Sequence, residues 1–197
     1  MSRTIAVTLF IASLMSVACS SSQPVTRPIT EPIIDQPGET ISRYQGPQLE
    51  LLVSSKIAAE RLGEDWMILQ VAIGGMETAA TEVRRDAISL QLPDGERIPI
   101  MSHQAFSSQY SEIAGPARAA AIAAEPLDFT RGNRRDCTLD FMPLPGTSLV
   151  REARFVTMRD LCQGLLYFRI PGGVQPGRYE LRVELEERKV DLPFEIR

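Results

Sequence analysis

The chain has 197 residues, 44% of them hydrophobic, and carries 21 basic and 25 acidic side chains for a formal net charge of −4. That mild acidity argues against generic nucleic-acid binding, which needs clustered positive charge. A single histidine is too few for a two-histidine copper site, and the chain has no HExxH or CxxC spacing that would suit zinc.

The N-terminus opens with Arg3, an apolar run from Ile5 to Met15, and the small residues Ser16-Val17-Ala18 ahead of Cys19. The run is too short for a permanent transmembrane helix, and the layout is that of a cleaved secretory signal over residues 1–18. The Ser-Val-Ala-Cys end resembles a bacterial lipobox, with Ser16 standing where that motif usually has Leu. The resemblance implies that Cys19 is acylated and becomes the mature N-terminus, so that a lipid bilayer is one partner. An ordinary signal cut after Ala18 would instead leave Cys19 unmodified. Ser20, where Asp would mark inner-membrane retention in such lipoproteins, implies an outer-membrane position facing the periplasm.

Residues 20–47 are rich in Ser, Pro, Thr and Gln, with Pro24, Pro28, Pro32, Pro37 and Pro47 spaced through them. Such spacing blocks helices and sheet ladders, so residues 19–47 read as a lipidated Cys and an extended tether. At about 3.1 Å per residue it would reach roughly 85 Å. The remaining residues, 48–197, are enough for one domain with a genuine core.

Within that domain, Leu49 to Val53 suits a first strand. Trp66 to Ile73 is apolar on both alternating faces apart from Gln70, which predicts a central, doubly covered strand ended by Gly74-Gly75, with Trp66 as a core anchor. Ile88, Leu90 and Leu92 alternate toward the turn Pro93-Asp94-Gly95, and Ile98 and Ile100 return, predicting a hairpin. From Ser102 to Glu125, Phe106, Tyr110 and Ile113 recur at helical spacing, Gly115-Pro116 interrupts, and Ala117 to Ala124 is alanine-rich. Two short helices are expected about residues 102–125, as an edge cover, a plug at one end, or a binding lid. Thr138 to Met142 and Phe155 to Met158 are further strand candidates.

Leu165 to Ile170 reads as a strand closed by Pro171-Gly172-Gly173, and Pro176-Gly177 signals the next turn. Tyr179 to Glu186, then Val190, Leu192, Phe194 and Ile196, place apolar residues at every second position across the link Glu187-Arg188-Lys189, predicting an antiparallel hairpin. Pro193 lacks a ladder donor and marks either an edge strand or a local irregularity. This closing order resembles that of immunoglobulin-like and fibronectin-III-like domains. It implies a mainly β, immunoglobulin-like antiparallel β-sandwich, with Tyr179 as a corner tyrosine.

With Cys19 lipidated, Cys137 and Cys162 remain in a compartment that permits disulfides. A bond between them would close a loop of about 25 residues, worth about 3.5 kcal/mol on loop entropy. Buried free thiols, or a redox or metal pair, are the alternatives, although no adjacent His accompanies them. His103 stands alone, without a GxSxG elbow. The carboxylate pairs Glu64-Asp65 and Glu186-Glu187 would point to opposite strand faces, and a solvated strand face accounts for Glu180, Arg182, Glu184 and Glu186. Asp94-Gly95 fits a turn and lacks a calcium-ligand series. The best polar cluster is Arg131, Arg134 and Arg135 in a Gly/Asn loop, either bidentate donors to a carboxylate or phosphate or a solvated turn. Arg84-Arg85-Asp86 is a second such run. The expectation is a non-catalytic, cofactor-free envelope lipoprotein that binds another protein and no nucleic acid. The alternative is a binder of an anionic cell-wall polymer or small ligand through the 131–135 loop.

Overall fold

The computed structural model describes residues 31–127, 134–146 and 149–197, so the expected signal, Cys19 and Arg131 lie outside the described residues. The protein is mainly β; the described residues form three sheets and three α-helices. In the largest sheet, β1 (Ile33–Gly38), β2 (Ile41–Gln45), β3 (Leu49–Ser54) and β4 (Trp66–Gly75) follow one another, then β10 (Asp160–Arg169) and β8 (Arg135–Thr138). The second sheet runs β12 (Lys189–Ile196), β11 (Gly177–Glu184), β6 (Ile88–Gln91) and β7 (Arg97–Pro99). β5 (Thr81–Arg84) and β9 (Ala153–Val156) pair separately. The ladders are antiparallel except for β8 beside β10, which is parallel.

Period-two patterning builds the interior. One hydrophobic cluster draws on the large sheet through Leu51, Val53, Leu69 and Val71, and on the second through Leu90, Leu181, Val183 and Leu192. The opposite face of the large sheet carries its own cluster of Leu52, Ala72, Leu127 and Leu161. β4 is therefore covered on both faces, which is why its sequence is apolar at nearly every position. On the second sheet the wet face is tied by ion pairs: Arg182 meets Asp191 at 2.5 Å and Arg97 meets Glu180 at 2.9 Å. Glu186 lies beyond the end of β11, because Leu185 N–H bonds Arg188 O to close the turn.

The terminal hairpin and the 88–100 hairpin form as their patterns predict. Pro193 sits on β12 at the sheet edge, opposite Glu180. Tyr179, fully buried, donates its hydroxyl to Gln175 O at 2.7 Å and accepts from Gln175 N–H at 3.1 Å. That contact four residues upstream is a tyrosine corner, and Tyr179 also stacks on Phe194. Gly172 and Gly173 hold φ of 81° and 83°, which the turn after β10 requires.

Several expectations are corrected. Two paired strands, β1 and β2, precede Gln48 where the tether was expected, and Leu49 to Val53 lies in the third described strand. Residues 33–45 pair as a hairpin because their prolines fall at its ends and irregularity: Pro32 precedes β1, Pro37 sits in the register shift between Asp35 and Gly38, and Pro47 follows β2. Tyr44 is buried and Ile41 packs on the outer cluster.

The helical insertion breaks at Gln109 and not at Gly115-Pro116. α2 (His103–Ser108) stops there, and α3 (Tyr110–Ala123) runs through Pro116. Burial of Ile113, Ala117 and Ala120 along one face holds α3 together across the missing proline donor. Thr138 to Met142 does not extend as a strand, since Asp140 adopts φ of 51°. β9 ends at Val156 because Asp160 captures the backbone N–H and hydroxyl of Thr157 in a turn. A further short helix, α1 (Lys56–Ala59), follows β3 and buries Ile57 and Ala58.

Candidate functional site

The helical insertion lies on the outer face of the large sheet. Along β10, Gln163, Leu165, Tyr167 and Arg169 share that face by alternation. Phe106 of α2 packs on Tyr167 with ring centroids 4.8 Å apart, and Arg169 Nη1 donates to Gln109 Oε1 at 2.9 Å. Burial, with a smaller contribution from Tyr110, pushes the Tyr167 hydroxyl well above its ordinary pKa. Ser102 caps α2 by accepting from Ala105 N–H at 3.1 Å.

After α3 the chain is strapped to the sheet. Gln70 Nε2 donates to Glu125 O, and Gln163 Oε1 accepts from Leu127 N–H at 2.9 Å. Leu127 then inserts among Leu52, Ala72 and Leu161. Gln70, the one polar residue in the β4 run, thus has a defined partner 55 residues away. On the surface, Lys56 Nζ and Glu125 Oε1 meet at 2.7 Å, and that hydrogen bond holds the Glu125 carboxyl below its ordinary range.

Between this strap, the end of α3 and strand β8 lies an open groove of about 540 Å³. Ala121 and Ala124 form one wall, Asp136 and Thr138 of β8 the other, and Leu165 with Gly164 part of the floor. Small side chains line the helical wall, leaving room for an inserted chain or side chain. Ile122, on the same helix end, is 87% exposed. Its position is the most exposed large apolar group among the described residues.

Of the three arginines expected at 131–135, the two described ones, Arg134 and Arg135, pair with different carboxylates. Arg134 reaches over Gly74 to Glu50, with Nη1 to Oε2 at 2.6 Å, and its Nη2 points to Met76 Sδ at 3.4 Å. Glu50 is fully buried and also accepts from Gln45 Nε2 at 2.8 Å. A side chain at position 74 would collide with the Arg134 guanidinium, so the glycine is what lets this pair close. Arg135 is exposed and pairs with Asp160 at 2.8 Å. In the second run, Arg84 bonds Asp86, while Arg85 bonds Glu152 and Met101 O.

His103 stands at the start of α2, with Nε2 3.3 Å from Ser107 Oγ. Among the described residues no carboxylate joins that contact, and no group of three His, Cys, Asp or Glu is placed to hold a metal ion. Glu64 pairs with Arg61. No helix of the described residues is long and apolar enough to cross a membrane.

Cys137 and Cys162 are bonded across the β8–β10 ladder. Sequence reasoning missed the groove and the Glu50–Arg134 pair. The lone Gln70 in an apolar run was the available signal for the strap. No family model, curated protein or solved structure matches the chain.

Proposed function

We propose that this is a lipid-anchored envelope protein, held through Cys19, that acts as a non-catalytic module binding another protein through the groove beside α3. The carrying observation is that groove, with its alanine wall, its Leu165 floor and the exposed Ile122 on the adjoining helix end. An apolar, concave surface flanked by a helix suits an inserted peptide or helix of a partner. The engagement of Arg134 and Arg135 by carboxylates counts against an anionic polymer as the ligand. The Ser-Val-Ala-Cys segment supports the anchor and the periplasm-facing outer-membrane position. The tyrosine corner, the terminal hairpin and a hydrophobic cluster shared by two sheets support an immunoglobulin-like sandwich as the scaffold.

The test is crosslinking in intact cells followed by affinity purification and mass spectrometry, comparing the parent with Ile122→Asp and Ala121→Arg. A near-stoichiometric envelope protein that is lost in both variants is the expected result. A Cys19→Ser form should abolish membrane fractionation. Equal recovery of partners by parent and groove variants would remove the groove from the reading.

A further inference from the structure

The disulfide carries a chemistry that does not depend on the groove. β8 is a four-residue strand at the sheet edge, and its parallel ladder to β10 places Cys137 directly opposite Cys162. The two sulfurs have unequal surroundings. Cys162 is fully buried, whereas Cys137 is half-buried on a strand whose outer side pairs with no other strand among the described residues. On the buried side, Arg154 of β9 directs its Nε–H to Cys162 Sγ at 3.4 Å. Arg154 forms no ion pair with any carboxylate among the described residues, so its positive charge stands beside that sulfur uncompensated by a direct partner.

From this asymmetry we propose that Cys137–Cys162 is a thiol–disulfide exchange site for a small-molecule thiol, with Cys137 the attacked sulfur and Cys162 the leaving one. The incoming thiolate places its electron pair on Cys137 Sγ and forms a mixed disulfide there. The Cys137–Cys162 bond breaks, and its pair remains on Cys162 Sγ as a thiolate. Arg154 Nε–H, already aimed at that atom, stabilises the departing charge, and a better-stabilised leaving thiolate leaves faster. A second thiol then attacks the mixed disulfide at the small-molecule sulfur, freeing Cys137 as a thiolate that takes up a proton. The sum is two thiols oxidised to one disulfide and one protein disulfide reduced to two thiols. In reverse, the Cys162 thiolate attacks Cys137 of the mixed disulfide and expels the small thiolate. Opening the bond leaves β8 held to the sheet by its short parallel ladder, next to Arg134, which bridges to Glu50.

The experiment exposes the folded, full-length protein to reduced glutathione without denaturant, quenches in acid with an alkylating agent, and maps both cysteines by mass spectrometry. Dithiothreitol serves as the probe of total reducibility, and Trp66 fluorescence follows unfolding in parallel. Glutathione is expected on Cys137 and the alkyl group on Cys162. Arg154→Gln should slow opening about tenfold, with Arg154→Lys recovering part of the rate, as expected for loss of leaving-group stabilisation. Glutathione mainly on Cys162, or equally on both, overturns the proposal. So does opening that occurs only as fast as unfolding, or an unchanged rate in a folded Arg154→Gln. If Arg154→Gln does not fold, the distribution of glutathione on the parent protein decides the matter.

Discussion

Glu50 places a carboxylate where water does not reach, and Arg134 answers it from the far side of β4. Removing one member of a buried pair leaves the other charge uncompensated, at a cost of about 3–5 kcal/mol. Arg134→Ala should therefore lower the urea midpoint substantially, while the double change Glu50→Met with Arg134→Met should recover much of the loss. Asp160 offers a second test. Its carboxyl is held below the usual range first by the Thr157 hydroxyl, then by Thr157 N–H and Arg135. A carboxyl depressed in the folded state stabilises the protein above its unfolded pKa of about 3.9 and loses that contribution as pH falls through the lower folded value. Acid titration followed by circular dichroism should show Asp160→Asn flattening the stability loss below about pH 4. At Tyr179, replacement by Phe leaves Gln175 O and N–H without their partner. A thermal or urea melt should show a loss of about 1–3 kcal/mol.

At the scale of elements, the strap after α3 rests on Leu127, which is almost fully buried in the outer cluster. Leu127→Ala should cost about 2–5 kcal/mol in equilibrium unfolding, and hydrogen exchange in α3 should quicken with it. Elements whose pattern is local were legible in the sequence. β11 and β12 each have one dry and one wet face, so period two located both strands and their turn. β1 and β2 were hidden because proline spacing and polar composition look the same in a tether and in an edge hairpin. Tyr44 and Ser42 are buried there while Ile33 and Ile34 are half-exposed, so hydrophobicity does not mark the inward face. The α2–α3 break was misplaced because Pro116 was judged by its own backbone and not by the packing of Ile113 and Ala117. The groove, the Glu50–Arg134 pair and the parallel placement of β8 all depend on residues far apart in the chain. No local signal encodes them.

For the whole molecule, β1 bounds how far the described body could stand from a lipid on Cys19. With lipid on Cys19, the segment from Ser20 to Pro32 ahead of β1 is 13 residues. At no more than about 3.3–3.6 Å per residue it spans at most roughly 45 Å. A folded body of this size has a radius of gyration of about 15 Å, so even at full reach that segment holds the body little farther off than the body is wide. The domain would then patrol a thin shell against the bilayer, and encounters with a membrane-bound partner would occur in two dimensions at raised local concentration. A partner embedded in the same membrane would be met often, and one deep in the compartment hardly at all.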